Sequence, residues 1–168
     1  MKFPDQENID TSARIRQVEA SHIGDLMHIA DETNLSHWSA QSYVEEMKNP
    51  AAIMLRLVAG DNSTIGFVVG RLVRGGAIEA HLEAEIYNIA VTASEHRRGH
   101  GQSLFDAFEA VCIEKEAATI WLEVRESNQT AIAFYEKNGF SRVQTRNHFY
   151  DNPREHAILM RRCLEFQL

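Results

Sequence analysis

Asn88-Ile89-Ala90-Val91-Thr92-Ala93-Ser94-Glu95-His96-Arg97-Arg98-Gly99-His100-Gly101-Gln102 is the stretch that decides the fold. Its first residues close a long apolar strand. The basic, glycine-containing run from His96 to Gln102 is a loop, and a helix is expected from Gln102 to Glu116. Leu104, Phe105, Phe108, Val111 and Cys112 recur at helical spacing and give that helix one buried face. A helix start offers four unbonded backbone N–H groups and the positive end of the dipole, which together favour an anion. Glycines let the backbone approach a phosphate, and two arginines add charge. The third glycine of a dinucleotide fingerprint is missing, and no Gly-Lys-Ser/Thr follows as in a Walker loop. Taken alone, the loop reads equally as a phosphate cradle or as a tight turn with solvated arginines.

Outward from this loop the chain alternates strands and helices. Toward the C-terminus, Thr119 to Val124 is a strand and Gln129 to Lys137 a helix. Gly139 sits where a left-handed cap belongs, and strands follow near 140–145 and 156–163. Toward the N-terminus, Ala13 to Val18 is a short strand, and Ser21 is expected to cap a helix running to about Asp31. Ser39 caps a second helix, Ala40 to Lys48, which Pro50 ends. Strands at 53–59 and 65–73 flank a Gly60-Asp61-Asn62-Ser63 turn, and Gly75-Gly76 turns the chain into the long strand ending at Val91. Residues 1–11 read as a loose tail and residues 12–168 as one α/β domain with a mixed sheet.

Bulk properties narrow the function classes. With 168 residues, 44 % hydrophobic and 24 % charged, the chain can bury a sizeable core. A formal net charge of -7 argues against coating a nucleic-acid backbone, which needs an excess of Lys and Arg, and is compatible with a basic partner. Cys112 and Cys163 make neither a disulfide framework nor a metal site and read as reduced core thiols. The eight histidines show no ligand spacing, so no metal is expected. No signal core or membrane-length apolar run is apparent, which makes the cytoplasm the expected location.

The spaced set Asn88-Ile89-Ala90-Val91, Arg98-Gly99-His100-Gly101, Trp121-Leu122-Glu123-Val124-Arg125, Ser127-Asn128, Ala131, Ala133, Tyr135 and Gly139-Phe140 resembles the acetyl-CoA core of the GNAT N-acetyltransferase superfamily. Within it, Trp121 to Arg125, Ser127-Asn128 and the ending Tyr135 to Phe140 are similar to the RimI-type ribosomal-protein-alanine N-acetyltransferases. Trp38-Ser39 with Tyr43, and Arg146-Asn147, add to that likeness. The resemblance spans roughly residues 30 to 163 and is strongest from 86 to 140. It implies a GNAT fold: a mixed, mostly antiparallel seven-stranded sheet with about four helices and splayed central strands.

The resemblance also implies roles. The strand end Ile89, Ala90 and Val91 would bind the pantetheine arm of the co-substrate acetyl-CoA through backbone groups. The amides of Arg97, Arg98, Gly99, His100, Gly101 and Gln102 would hold its pyrophosphate, with His96 standing where the family usually has Gln or Arg. Asn128 would contact the same molecule, although its residue type also suits a helix N-cap. Glu123 would be the general base and Tyr135 the general acid on the departing thiolate. Trp38 and Tyr150 would touch the acceptor, a protein N-terminus and specifically the alanine of a small-subunit ribosomal protein. Ser36-His37 and His156 depart from the family pattern on the acceptor side.

The residues themselves bear on these roles. Strand alternation puts Ile120, Leu122 and Val124 on one face and Glu123 beside Trp121 on the other. An acid in mid-strand is either desolvated, with a raised pKa suited to a base, or paired, with Arg125 on the same face as the obvious partner. Tyr135 by itself is an ordinary inward-facing helix aromatic. An α-amine with a pKa near 8 is about 10 % neutral at pH 7, whereas lysine must give up roughly 3.4 kcal/mol more to lose its proton. That favours an N-terminal acceptor over lysine, polyamine or another small amine without deciding between them. A non-catalytic acetyl-CoA-binding module is the remaining alternative, against which the joint presence of Glu123 and Tyr135 counts.

Overall fold

A computed structural model describes residues 13–35, 38–75 and 81–164. The expected tail at 1–11, Ser36-His37 and the second glycine of the Gly75-Gly76 turn lie outside the described residues. In chain order the elements are β1 (Arg14–Gln17), a 3₁₀ turn (Ala20–His22), α1 (Ile23–Glu32), α2 (Ala40–Met47), β2 (Ala52–Val58), β3 (Thr64–Arg74) and β4 (Leu82–Val91). A second 3₁₀ turn (Ala93–Glu95), α3 (His100–Glu114), β5 (Thr119–Arg125), α4 (Gln129–Lys137), β6 (Ser141–Asp151) and β7 (Arg154–Cys163) complete the chain. The strands form one seven-stranded sheet in the order β1-β2-β3-β4-β5-β7-β6. β4 and β5 run parallel, while the β1–β2, β5–β7 and β6–β7 pairs are antiparallel. This is the seven-stranded mixed sheet that the resemblance implies.

The contacts resolve into two compact units. The first comprises Met1–Val69 with Asn88–Glu109. Its core takes Ile23, Leu26, Ile29 and Ala30 from α1, Tyr43 from α2, Phe67 from β3, and Leu104, Phe105 and Phe108 from α3, all buried at the helical or strand spacing that the sequence carries. Ser39 caps α2 as expected, its Oγ accepting the Ser42 N–H at 3.1 Å. Ser21 does not cap α1. It lies inside the 3₁₀ turn, where Glu19 and His22 satisfy each other's backbone N–H groups reciprocally, so the chain enters α1 through His22. Gly66 faces β4 and α3: a Cβ there would stand 2.8 Å from the Ala90 carbonyl oxygen and 3.0 Å from Leu104 Cδ1.

The second unit comprises Gly70–Tyr87 with Ala110–Leu168. Its β4–β5 ladder runs from Glu83↔Thr119 to Ile86↔Leu122, and β5 then continues along β7 as far as Arg125↔Ala157. Ile120, Leu122 and Val124 are buried on one face of β5 while Trp121, Glu123 and Arg125 stay partly exposed on the other, as alternation requires. Asn128 caps α4 by accepting the Ala131 N–H at 3.1 Å. Gly139, at φ +81°, ends α4 in the left-handed region. β6 is longer than expected, reaching Asp151, and carries a register shift between Arg146 and Tyr150. Cys112 is buried but Cys163, the last residue of β7, is exposed, which corrects the reading of both as core thiols.

Candidate active site

The loop after β4 is shaped by its own side chains. Glu32 at the end of α1 accepts the Ala93 N–H at 2.9 Å and the Thr92 hydroxyl at 2.7 Å. The Thr92 hydroxyl, then the Ala93 N–H, hold this carboxyl below its ordinary range. His96 Nε2 lies 2.7 Å from the Val91 carbonyl oxygen. A carbonyl can only accept, so that ring nitrogen carries the proton. Arg97 (φ +61°) and Gly99 (φ +78°) then turn the backbone into α3 through two left-handed steps.

At the mouth of α3, His100 turns inward and is buried, its Nε2 3.4 Å from Glu95 Oε2. Arg98 pairs with the same carboxylate at 3.1 Å, which offsets part of its charge. A Cβ added at Gly99 or Gly101 would meet nothing within 4 Å, so space is open over the first turn where the helix N–H groups emerge. Backbone donors, a helix dipole, an exposed Arg97 and no overhanging side chain fit a diphosphate.

In the second unit, a cleft of about 210 Å³ opens near the end of the β4–β5 ladder. Glu85, Tyr87, Trp121, Glu123, Arg146 and Leu159 are among its lining residues. The Glu123 side chain is 26 % exposed and accepts a hydrogen bond from Arg146 Nη1. Burial raises the Glu123 pKa above the ordinary carboxylate value; the charge of Arg146 opposes this and the neighbouring Glu85 carboxylate reinforces it. Arg125 is not the partner of Glu123. It pairs with Glu155 at 3.3 Å, donates to the carbonyls of Asn152 and Pro153, and lies 4.1 Å over the Tyr150 ring.

Tyr150 is held by that stacking and donates to the Glu123 backbone carbonyl at 3.4 Å. Burial pushes its hydroxyl up to about 12, with Glu123 adding to the effect. Tyr135 is buried on α4, with edge-to-face contacts to Phe134 and Phe140 at 5.4 Å. Burial, then the nearby Tyr150, raises its pKa. Trp38 stands 5.3 Å from Tyr43 and is half-buried, a packing position in the first unit. The structure therefore places Glu123 in the cleft, Tyr150 against its backbone carbonyl, and Tyr135 within electrostatic reach of Tyr150.

The Acetyltransferase (GNAT) family pattern matches residues 23–140, a span that contains the loop at the mouth of α3 and both Glu123 and Tyr135. The chain belongs to the GNAT acetyltransferase family. Members of this family use acetyl-CoA, and this GNAT chain is an N-acetyltransferase. It is 33 % identical over 149 residues to the [ribosomal protein bS18]-alanine N-acetyltransferase of Haemophilus influenzae, a match covering 87 % of this chain and 95 % of that one. It superposes on the crystal structure of the ribosomal-protein-S18-alanine N-acetyltransferase from Escherichia coli with a TM-score of 0.78 at 26 % identity, covering 93 % and 96 % of the two chains. Against Ard1 from Thermoplasma volcanium the TM-score is 0.81 at 25 % identity, covering 93 % and 100 %.

Three residues that shape the cleft or, separately, the loop before α3 escaped the sequence reading. Arg146 was visible only as part of a motif, since its pairing with a residue 23 positions earlier depends on the β5-β7-β6 order. Glu85 shares its strand face with Tyr87, an alternation legible in residues 82–91 but without a stated role. Glu32 sits on α1, 60 residues before the hydroxyl it binds, and no local pattern signals that contact.

Proposed function

We propose that this enzyme acetylates the α-amine of a protein N-terminus, and specifically the N-terminal alanine of ribosomal protein bS18. The observation that carries the catalytic part is Glu123: a half-buried carboxylate with a raised pKa, lining a cleft large enough to admit a small group. The acceptor rests on the likeness to the bS18-alanine enzymes, which extends over most of both chains.

Acetyl-CoA supplies the activated acetyl group as a thioester. Ile89 and Val91 offer backbone groups to its pantetheine arm, Ala90 lies between them, and the amides from Arg97 to Gln102 take the pyrophosphate. Glu123 accepts the proton that the amine loses as its nitrogen bonds to the carbonyl carbon. When the C–S bond breaks, the Tyr135 hydroxyl supplies a proton to the sulfur. Burial makes Tyr135 a weaker acid, and a thiolate desolvated to the same extent would have its own pKa raised, which keeps the proton transfer feasible. Asn128 caps α4 through its Oδ1, fixing where that helix, and hence Tyr135, begins, and its side-chain amide contacts acetyl-CoA. Tyr150 and Trp38 are the acceptor-side aromatics.

Mass spectrometry of an alanine-starting hexapeptide with an internal lysine, incubated with acetyl-CoA, tests the assignment. Acetylation at the α-amine is expected. Modification confined to the lysine side chain would remove the N-terminal acceptor, and thiol release with no peptide product would remove the peptide altogether.

A further inference from the structure

We infer that Glu32 is a positioning residue for acetyl-CoA: from the end of α1 it holds the backbone between β4 and α3 in the shape that offers its N–H groups to the diphosphate. This rests on the proposed role of Arg97 to Gln102 and adds a residue that acts through them. The loop needs such a hold. Arg97 stands at φ +61°, a left-handed conformation that a residue with a Cβ enters at a cost, and Gly99 follows at +78°. Strained backbone persists only where its surroundings fix it. Within the loop, the Glu95 and His96 N–H groups donate back to the Thr92 and Ala93 carbonyls at 3.0 and 3.3 Å, and His96 Nε2 donates to the Val91 carbonyl. These bonds make residues 91–96 one turn but tie it to nothing else. Outside the turn, the Thr92 N–H donates to the Ile65 carbonyl of β3 at 2.9 Å. Glu32 takes the Thr92 hydroxyl at 2.7 Å and the Ala93 N–H at 2.9 Å.

The carboxylate is carried on a fixed support. Leu26, Ile29 and Ala30 of α1 are buried, and Thr33 closes the helix by donating its N–H and its hydroxyl to the Ile29 carbonyl at 3.0 and 2.7 Å. A two-pronged acceptor on a packed helix sets both the position and the direction of the chain as it leaves β4. Charge alone does not account for an acid at this place. Glu32 is the last residue of α1, the end whose dipole disfavours a carboxylate, and a negative charge near an anion-binding loop repels the ligand. Both terms run against glutamate. The two donors that it satisfies run for it.

The test is calorimetric Kd for CoA together with hydrogen exchange, read by mass spectrometry, on the native protein and on Glu32→Ala, Glu32→Gln and Thr92→Val. Glutamine keeps the geometry, since its amide oxygen accepts the Ala93 N–H and its NH2 donates to the Thr92 hydroxyl oxygen. Glu32→Ala is expected to weaken CoA binding about tenfold and Thr92→Val about threefold, while Glu32→Gln stays within about twofold of the native value. Without ligand, exchange across residues 91–99 is expected to be faster in Glu32→Ala than in the native protein or Glu32→Gln, with the amides of α1 unchanged. Unchanged CoA affinity in Glu32→Ala, or no recovery in Glu32→Gln, overturns the inference. Tighter binding in both variants overturns it too, as the mark of a residue felt only through its charge, and so does faster exchange throughout α1, the mark of a general structural role. Should Glu32→Ala not fold, Thr92→Val against the native protein decides by the same readings. If CoA does not slow exchange at residues 97–102 of the native protein, the loop reading itself fails and takes the inference with it, an outcome recognisable without any variant.

Discussion

Glu123 works under two opposed influences: burial and Glu85 favour its neutral form, while Arg146 favours the charged one. Burial wins, which places the group closer to the operating range of a base. Glu123→Gln keeps the shape and removes the basicity, so kcat is expected to fall by about 10² to 10⁴ with CoA affinity retained. Equal turnover in the variant, measured as thiol release alongside CoA titration, would exclude Glu123 as the base. Arg146→Ala removes the two contributions that lower the Glu123 pKa, so that pKa rises further. A base is active only when deprotonated, and the acidic limb of the kcat/KM profile therefore moves to higher pH. An unmoved or lowered limb would show that this limb does not report Glu123. The face on which Glu123 lies was legible from alternation along β5, whereas its partner was not: Arg125 is nearest in sequence, but Arg146 reaches Glu123 from β6, on the far side of β7.

Elements whose ends are set by neighbouring residues could be read directly. Ser39 and Asn128 cap α2 and α4 because a short side-chain oxygen reaches an amide three residues ahead, and Gly139 ends α4 because it accepts a left-handed φ. Ser21 misled because the same local chemistry had a competitor, the reciprocal Glu19–His22 pair, which starts the turn two residues earlier. Gly66 is different again, since nothing near it in sequence explains why a strand should spend a glycine there. The Ala90 carbonyl and Leu104 press against it from β4 and α3. Gly66→Ala is expected to destabilise the fold by about 1–3 kcal/mol through overpacking, read as a lower urea midpoint with an unchanged slope. A variant as stable as the parent would mean that β4 can move aside at no cost.

Across the whole molecule the formal charge is -7, yet Arg97 and Arg98 stand together at the loop before α3. Attraction of the anionic co-substrate to that loop is therefore partly long-range and subject to screening. Raising salt from about 0.05 to about 0.5 M is expected to raise the KM for acetyl-CoA several-fold. A KM that does not move with salt would remove electrostatic steering from the account. The sequence alone determined the succession of strands and helices, the glycine-bearing mouth of α3 and the family, because periodicity, caps and motif spacing are local and survive without coordinates. Only the tertiary structure decided which charges meet. Arg146 on Glu123 and Glu32 on Thr92 are set by strand order, register and helix docking, and burial, which moves the pKa of Glu123, belongs to the folded surroundings of a side chain and not to the chain of letters.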